Sequence, residues 1–99
     1  MFYQQGDLLL HKEPIPNAIM PLKIPGGILI KSPVTNHEHK IDGPAEFFGD
    51  GATRYVRLSC ETPLTHQEHK TIMLPAGEYR LGQVREFDHL TDEARTVID

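Results

Sequence analysis

The sequence predicts a mainly β fold, either a small β-barrel or a two-sheet sandwich, and three observations support this class. Eight prolines and eight glycines are spread over 99 residues, and prolines interrupt every window before Leu81, which argues against long helices. The intervening segments are short and rich in β-branched and aromatic residues. Two turn sequences, Gly49-Asp50-Gly51 and Pro75-Ala76-Gly77, separate such segments. A chain of this length is expected to form one domain, residues 1–99.

Seven segments are predicted to be strands. They cover residues 7–12, 27–31, 38–41, 45–48, 54–60, 71–74 and 78–87. Residues 14–25 are predicted to be an extended connection, because their prolines remove donors that a strand ladder needs. Thr91 can cap a helix whose first turn contains Asp92 and Glu93, which predicts a short C-terminal helix over residues 91–98.

Charge and cysteine content narrow the class of protein. Ten lysines and arginines against 14 acidic residues give a net charge of −4, which argues against a basic protein that coats polyanions but leaves a local cationic site possible. Cys60 is the only cysteine, which excludes an internal disulfide framework. The longest apolar runs are too short to span a bilayer, and the N-terminus lacks a signal-peptide pattern. We expect a cytoplasmic protein with no membrane partner.

Two similar octets hold four of the six histidines. Residues 33–40 read PVTNHEHK and residues 63–70 read PLTHQEHK, so proline, threonine, glutamate, histidine and lysine coincide at an offset of 30. Each octet follows a predicted strand and precedes an apolar residue. The pattern predicts an internal duplication of a strand–loop–strand unit, which could form a pseudo-twofold barrel.

One interpretation of the octets is a metal site. In a strand, His37 and His39 would project from one face, and His66 and His69 are close enough in sequence to converge. These imidazoles could bind Zn²⁺ or Fe²⁺. Glu38, Glu46 or Glu68 would then supply a carboxylate ligand. The arrangement resembles the two motifs of a cupin, but the spacing from His39 to Glu46 is longer, and no histidine follows Gly77.

The other interpretation is proton transfer without a metal or a cofactor. One histidine would deprotonate the 2′-hydroxyl of RNA and another would protonate the leaving 5′-oxygen, which yields a 2′,3′-cyclic phosphate. His39 and His69 are the first choices for this pair. The positioning residues would be His37, His66, Glu38 and Glu68, and the phosphate-binding residues would be Lys40, Lys70 and Arg85. The residues alone do not favour metal binding over proton transfer, or the reverse.

The motifs resemble a family of small bacterial and phage proteins. The family pattern begins with QGD, continues with VTGHxH, THxEH and an LPxGxY turn, and ends in a QREY-like segment. The matching segments here are residues 5–7, 34–39, 65–69, 74–79 and 83–87. Asn36 stands where the pattern has glycine, and Val84 is inserted between Gln83 and Arg85.

The resemblance implies a ring-forming β-barrel ribonuclease. We therefore expect a metal-independent endoribonuclease, with RNA as its substrate, that assembles as a homo-oligomer such as a trimer. Assembly would supply a cleft that one small barrel lacks. A cupin-like metal protein is one alternative, and a non-catalytic binding module of a phage or mobile element is another.

Overall fold

Ten short strands make up residues 1–84, the part of the chain that the computed structural model describes. They are β1 (Phe2–Gln5), β2 (Leu8–Lys12), β3 (Met20–Leu22), β4 (Ile28–Lys31), β5 (Glu38–Ile41), β6 (Glu46–Gly49), β7 (Arg54–Leu58), β8 (Thr62–Thr65), β9 (Ile72–Leu74) and β10 (Gly77–Gln83). A single 3₁₀ turn, Pro25–Gly27, precedes β4. The predicted C-terminal helix over residues 91–98 lies outside the described residues, as does Arg85.

The strands form two antiparallel sheets. The six-stranded sheet has the order β1-β2-β10-β7-β6-β3, and the four-stranded sheet has the order β4-β5-β8-β9. Within residues 1–84 both sheets keep open edges, so the mainly β class is confirmed, and of the two predicted architectures the two-sheet form is observed and the closed barrel is not. No helix in this part of the chain is long and apolar enough to cross a bilayer.

One apolar core joins the two sheets. The six-stranded sheet contributes fully buried side chains such as Leu8, Leu10 and Tyr79, and the four-stranded sheet contributes Leu64 and Leu74. On β5 and β8, buried and half-buried residues alternate, as expected for strands with one face against a core. The inner faces of both sheets are therefore fixed by the period-two pattern of the sequence.

Each of the seven predicted strands overlaps an observed one, and the predicted turn at Gly49-Asp50-Gly51 joins β6 to β7, which pair as antiparallel neighbours. The turn at Pro75-Ala76-Gly77 instead connects β9 to β10, which belong to different sheets. The prediction missed β1, β3 and β8. Strand β3 lies inside the proline-rich connection, where Pro21 is tolerated because β3 is at a sheet edge and needs few donors.

The two octets differ in structure, so the predicted duplication is not observed. In the first octet the last three residues begin β5, whereas in the second the first three residues lie in β8. Strands β5 and β8 pair antiparallel, with Lys40 opposite Thr65 and Ile41 opposite Leu64. The loop that enters β5 and the loop that leaves β8 therefore lie at the same end of the four-stranded sheet.

Candidate functional site: a histidine cluster at one end of the sandwich

The four octet histidines form one cluster. The ring centroid of His66 lies 5.4 Å from that of His37, 4.4 Å from that of His39 and 4.6 Å from that of His69. The rings of His39 and His69 are nearly parallel, with 6.1 Å between centroids and an interplanar angle of 11°. The expectation that the two octets bring their histidines together agrees with this geometry.

Strand alternation explains why three of these rings meet. His37 and His39 have the same parity as buried Ile41, and His66 has the same parity as buried Leu64 on the neighbouring strand. His39 therefore points toward the space between the sheets, and the rings of His37 and His66, one residue outside β5 and β8, pack beside it in the cluster. His69 reaches the cluster from the loop between β8 and β9.

His39 is held by hydrogen bonds at both ring nitrogens. Its Nδ1 lies 2.9 Å from Gln5 Oε1, and its Nε2 lies 3.0 Å from Asp7 Oδ1. The Gln5 amide can face only one way, because its Nε2 donates to the carbonyl oxygens of Leu64 and Lys70. Both partners of His39 therefore offer acceptor oxygens, and the ring is held between Gln5 and Asp7.

The support for His39 comes from the β1–β2 turn, which the sequence analysis left without a role. Gln5 ends β1, Gly6 adopts a positive φ of 57°, and Asp7 follows in the turn. Glycine suits this position because it carries no Cβ. Gln83, at the end of β10, donates to the second carboxylate oxygen of Asp7 at 2.8 Å. The signal for these residues was present in the QGD segment and in Gln83 of the family pattern.

His66 accepts hydrogen bonds from the backbone. The amide nitrogens of Glu68 and His69 lie 3.0 and 3.3 Å from its Nδ1. An acceptor role at Nδ1 means that the ring carries its proton at Nε2, since a proton at Nδ1 would face two other donors. This hydrogen bonding fixes the course of the β8–β9 loop and so the position of His69.

His37 and His69, like His66, are half-buried and lie outside the strands. The Nδ1 atom of His37 is 3.5 Å from Glu68 Oε1, and 23% of the His37 side chain is exposed. By contrast, only 1% of His39 is exposed. The role predicted for His39 in acid–base chemistry stays a prediction, and its buried position also suits a role in supporting the other histidines.

The other predicted site residues are spread over different surfaces. Glu38 and Lys40 flank buried His39 on β5, so alternation places their side chains on the opposite face of the sheet. The backbone amide of Glu38 donates a hydrogen bond to Gln67 Oε1 at 2.7 Å. Lys70 is exposed and contributes its backbone carbonyl to Gln5, and Glu68 is 65% exposed beside His37.

The geometry also bears on the metal interpretation. Among residues 1–84, no three histidine, cysteine, aspartate or glutamate side chains are arranged to hold a metal ion. Glu46, a candidate ligand, lies on the six-stranded sheet and pairs with Arg57 at 3.3 Å. The cupin-like ligand set is therefore not assembled in the described part of the chain.

The fold and the cluster define a two-sheet β protein with four imidazoles at one end of the sandwich, supported by the β1–β2 turn. Residues 4–83 match a family described as a domain of unknown function, DUF8820, and the chain belongs to this family. The match includes all four clustered histidines together with Gln5, Asp7 and Gln83. No curated protein and no solved structure matches the chain.

Proposed function

We propose that this protein is a metal-independent endoribonuclease in which His37 and His69 exchange protons with the RNA. The observation that carries the proposal is the clustering of four imidazoles, three of whose ring centroids lie 4.4–5.4 Å from that of His66. His39 and His66 use ring nitrogens to accept or donate hydrogen bonds within the protein. His37 and His69 are half-buried residues beside them. Several imidazoles held together by fixed hydrogen bonds suit acid–base catalysis, which depends on positioned groups.

The reaction balances with these two side chains. One imidazole, neutral at the start, removes the proton from a 2′-hydroxyl, and the oxygen attacks the adjacent phosphorus. The other, protonated at the start, gives its proton to the 5′-oxygen as the phosphorus–oxygen bond breaks. The products are a 2′,3′-cyclic phosphate and a 5′-hydroxyl. Glu68 lies beside Nδ1 of His37, which leaves Nε2 of that ring as the atom that exchanges a proton with RNA.

The supporting residues have a distinct role in this proposal. The Asp7–His39–Gln5 network is buried and ties the β1–β2 turn to the carbonyl oxygens of Leu64 and Lys70. It therefore fixes the end of β8 and the loop that carries His69. The ring of His39 also lies nearly parallel to that of His69 and so helps to position it. Lys70, exposed at the same end, is the proposed lysine contact to the RNA backbone.

The test is cleavage of end-labelled RNA across pH 5 to 9, with and without excess EDTA. We expect cleavage that survives EDTA, with a bell-shaped pH profile, and a 2′,3′-cyclic phosphate end. His37→Ala and His69→Ala should each lower kcat by about 10²–10⁴-fold. His11→Ala is the matched control, because His11 lies on β2 and contacts Phe2 away from the cluster.

Other outcomes would identify other functions. Cleavage that disappears in EDTA would make the histidines metal ligands. The absence of cleavage at every pH would favour a binding module. Full activity in His37→Ala or His69→Ala would overturn the assignment of that residue.

We also propose that the protein self-associates, with a trimeric ring as one form. Strands β1, β3, β4 and β9 are sheet edges, and edge strands can pair with another copy. Exposed apolar side chains lie on three of these strands, namely Phe2, Met20, Leu22 and Met73. Light scattering coupled to gel filtration tests this part of the proposal, and a monomer at micromolar concentration would contradict it.

A further inference from the structure

A polar pocket opens between the two sheets near the histidine cluster. Its volume is about 310 Å³, and its walls come from β4, from the start of β7 and from the end of β10. Arg54 lines it together with Thr53, Ile30 and Gln83. Arg80 also borders the pocket, but alternation along β10 directs its side chain to the other face of the sheet, where it pairs with Glu13. This combination of guanidinium, hydroxyl and amide groups is suited to an anion.

The pocket is connected to the cluster by direct contacts. Gln83, in the pocket wall, donates to Asp7 Oδ2 at 2.8 Å, and Asp7 Oδ1 lies 3.0 Å from His39 Nε2. On the other wall, Ile30 is the strand partner of His39. An anion in this pocket would therefore lie next to the site proposed for RNA cleavage.

Arg54 differs from the other arginines of residues 1–84. Arg57 pairs with Glu46 and Glu78, and Arg80 lies 3.1 Å from Glu13. Arg54 makes no such carboxylate contact within the described residues. Its position on β7 has the parity of buried Val56 and Leu58, so it faces inward and is half-buried.

The energetics favour an anionic partner for this side chain. A partly buried charge loses solvation, and an opposite charge with matching hydrogen bonds offsets that loss. The guanidinium group binds phosphate oxygens in a bidentate manner. The net charge of −4 makes the general electrostatic attraction of RNA weak. A local cation such as Arg54 would therefore contribute a large part of the affinity for RNA.

We infer that the Arg54 pocket binds a backbone phosphate of single-stranded RNA adjacent to the phosphate that is cleaved. This inference rests on the proposed function, and it names a contact that the sequence analysis did not assign. Arg54 would hold the strand in register while the histidine cluster acts on the neighbouring linkage. Its loss should weaken RNA binding and raise KM more than it lowers kcat.

The test separates binding from cleavage by using a labelled 2′-O-methyl RNA oligonucleotide, in which the nucleophilic hydroxyl is blocked. Fluorescence anisotropy at several salt concentrations gives the dissociation constant and its salt dependence. Arg54→Ala should weaken binding about tenfold or more. It should also reduce the slope of log K against log salt by about 0.7, the value for one single-strand phosphate. Arg54→Lys, which keeps the charge, should lose less.

Control variants allow the Arg54 inference and the nuclease proposal to be tested separately. Lys23→Ala removes one positive charge from an exposed position outside this pocket, so it should change binding little. His37→Ala should retain binding of the blocked oligonucleotide while it loses cleavage of natural RNA. Thermal melts of all variants identify any loss of folding.

Each result has a defined meaning. Equal affinity of Arg54→Ala and the wild-type protein, or no binding of the oligonucleotide by the wild-type protein, would overturn the Arg54 inference. Arg54-dependent binding without cleavage of natural RNA would support the Arg54 pocket and overturn the nuclease proposal.

Discussion

The two octets share five residues at equivalent positions, yet their final histidines have different environments. His39, near the end of the first octet, lies in β5, is 1% exposed and is bonded at both ring nitrogens. Its counterpart His69 lies in the loop after β8 and is half-buried. The difference arises because the first octet leads into a strand and the second leads out of one.

This comparison shows that equal spacing in sequence does not give equal roles in a site. The octets place histidines at the same end of one sheet because β5 and β8 are antiparallel neighbours. Which histidine becomes buried is then decided by strand parity and by the distant Gln5-Gly6-Asp7 turn. The same motif thus supplies a supporting histidine in one copy and a proposed acid–base histidine in the other.

The difference between His39 and His69 is tested most directly by replacing each with alanine and measuring the stability of the protein. His39→Ala should lower the free energy of unfolding by about 3–5 kcal/mol, because it leaves the Asp7 carboxylate in a buried site without its imidazole. His69→Ala should cost about 1 kcal/mol or less, since its ring is half-buried in a loop. Urea unfolding at pH 7 measures both values.

A double-mutant cycle is the control for this prediction. If the Asp7–His39 pair accounts for the loss, Asp7→Ala and His39→Ala should be strongly non-additive when combined. Equal destabilisation by His39→Ala and His69→Ala would show that the two octets are energetically equivalent after all.

The Gln5 amide offers a smaller test of the same asymmetry. Gln5→Ala should cost about 1–3 kcal/mol, because it removes the donor to two backbone carbonyls and the acceptor of His39. Gln4→Ala is the matched control, since Gln4 is exposed and bonds only locally to the Gly6 carbonyl. Urea unfolding should separate the two variants clearly, and similar values for both would contradict the role of Gln5.

Local patterns in the sequence were sufficient for much of the fold. Strand β5 was predicted with its observed bounds, and the Gly49-Asp50-Gly51 hairpin was also identified. Strand β8 was missed because Pro63 resembles a strand breaker, although its carbonyl still accepts from the Asp42 amide. The choice between a barrel and two sheets depends on which distant strands pair, and local propensity carries no information on that.

The candidate site was predicted in its histidines and not in its supporting residues. Four imidazoles could be selected because the octets repeat them. The link from His39 to Gln5 and Asp7 spans more than thirty residues, and only the tertiary fold shows it. Lys40 was selected for being next to His39 in sequence, whereas adjacency in a strand places the two side chains on opposite faces.

Acid titration measures a contribution to stability that comes from outside the octets, namely that of Glu78. The Ile15 amide and then the Arg57 guanidinium hold the pKa of Glu78 below its usual value of 4.5. A lowered pKa in the folded state adds stability that is fully present above pH 4.5 and is lost as pH falls through the folded value. Glu78→Gln should therefore remove about 1 kcal/mol at pH 7 and flatten the loss of stability between pH 5 and pH 2.

The control for this titration is Glu61→Gln, an exposed glutamate on the same chain. Its acid unfolding curve should follow the wild-type curve. If Glu78→Gln shows the wild-type slope below pH 4.5, the Glu78 contacts contribute nothing to acid stability.

The smallest expected effect concerns position four of each octet. Asn36 has a φ of 64°, and no other non-glycine residue among residues 1–84 has a positive φ. Its counterpart His66 therefore has a negative φ. Asn36→Gly should change the free energy of unfolding by less than about 0.5 kcal/mol, because relief of the left-handed conformation offsets the added freedom of the unfolded chain. Asn36→Ala keeps the Cβ without the local hydrogen-bonding amide and should lose up to about 1 kcal/mol. Thermal unfolding of both variants measures the difference, and a more stable alanine variant would show that the first loop does not require its left-handed residue.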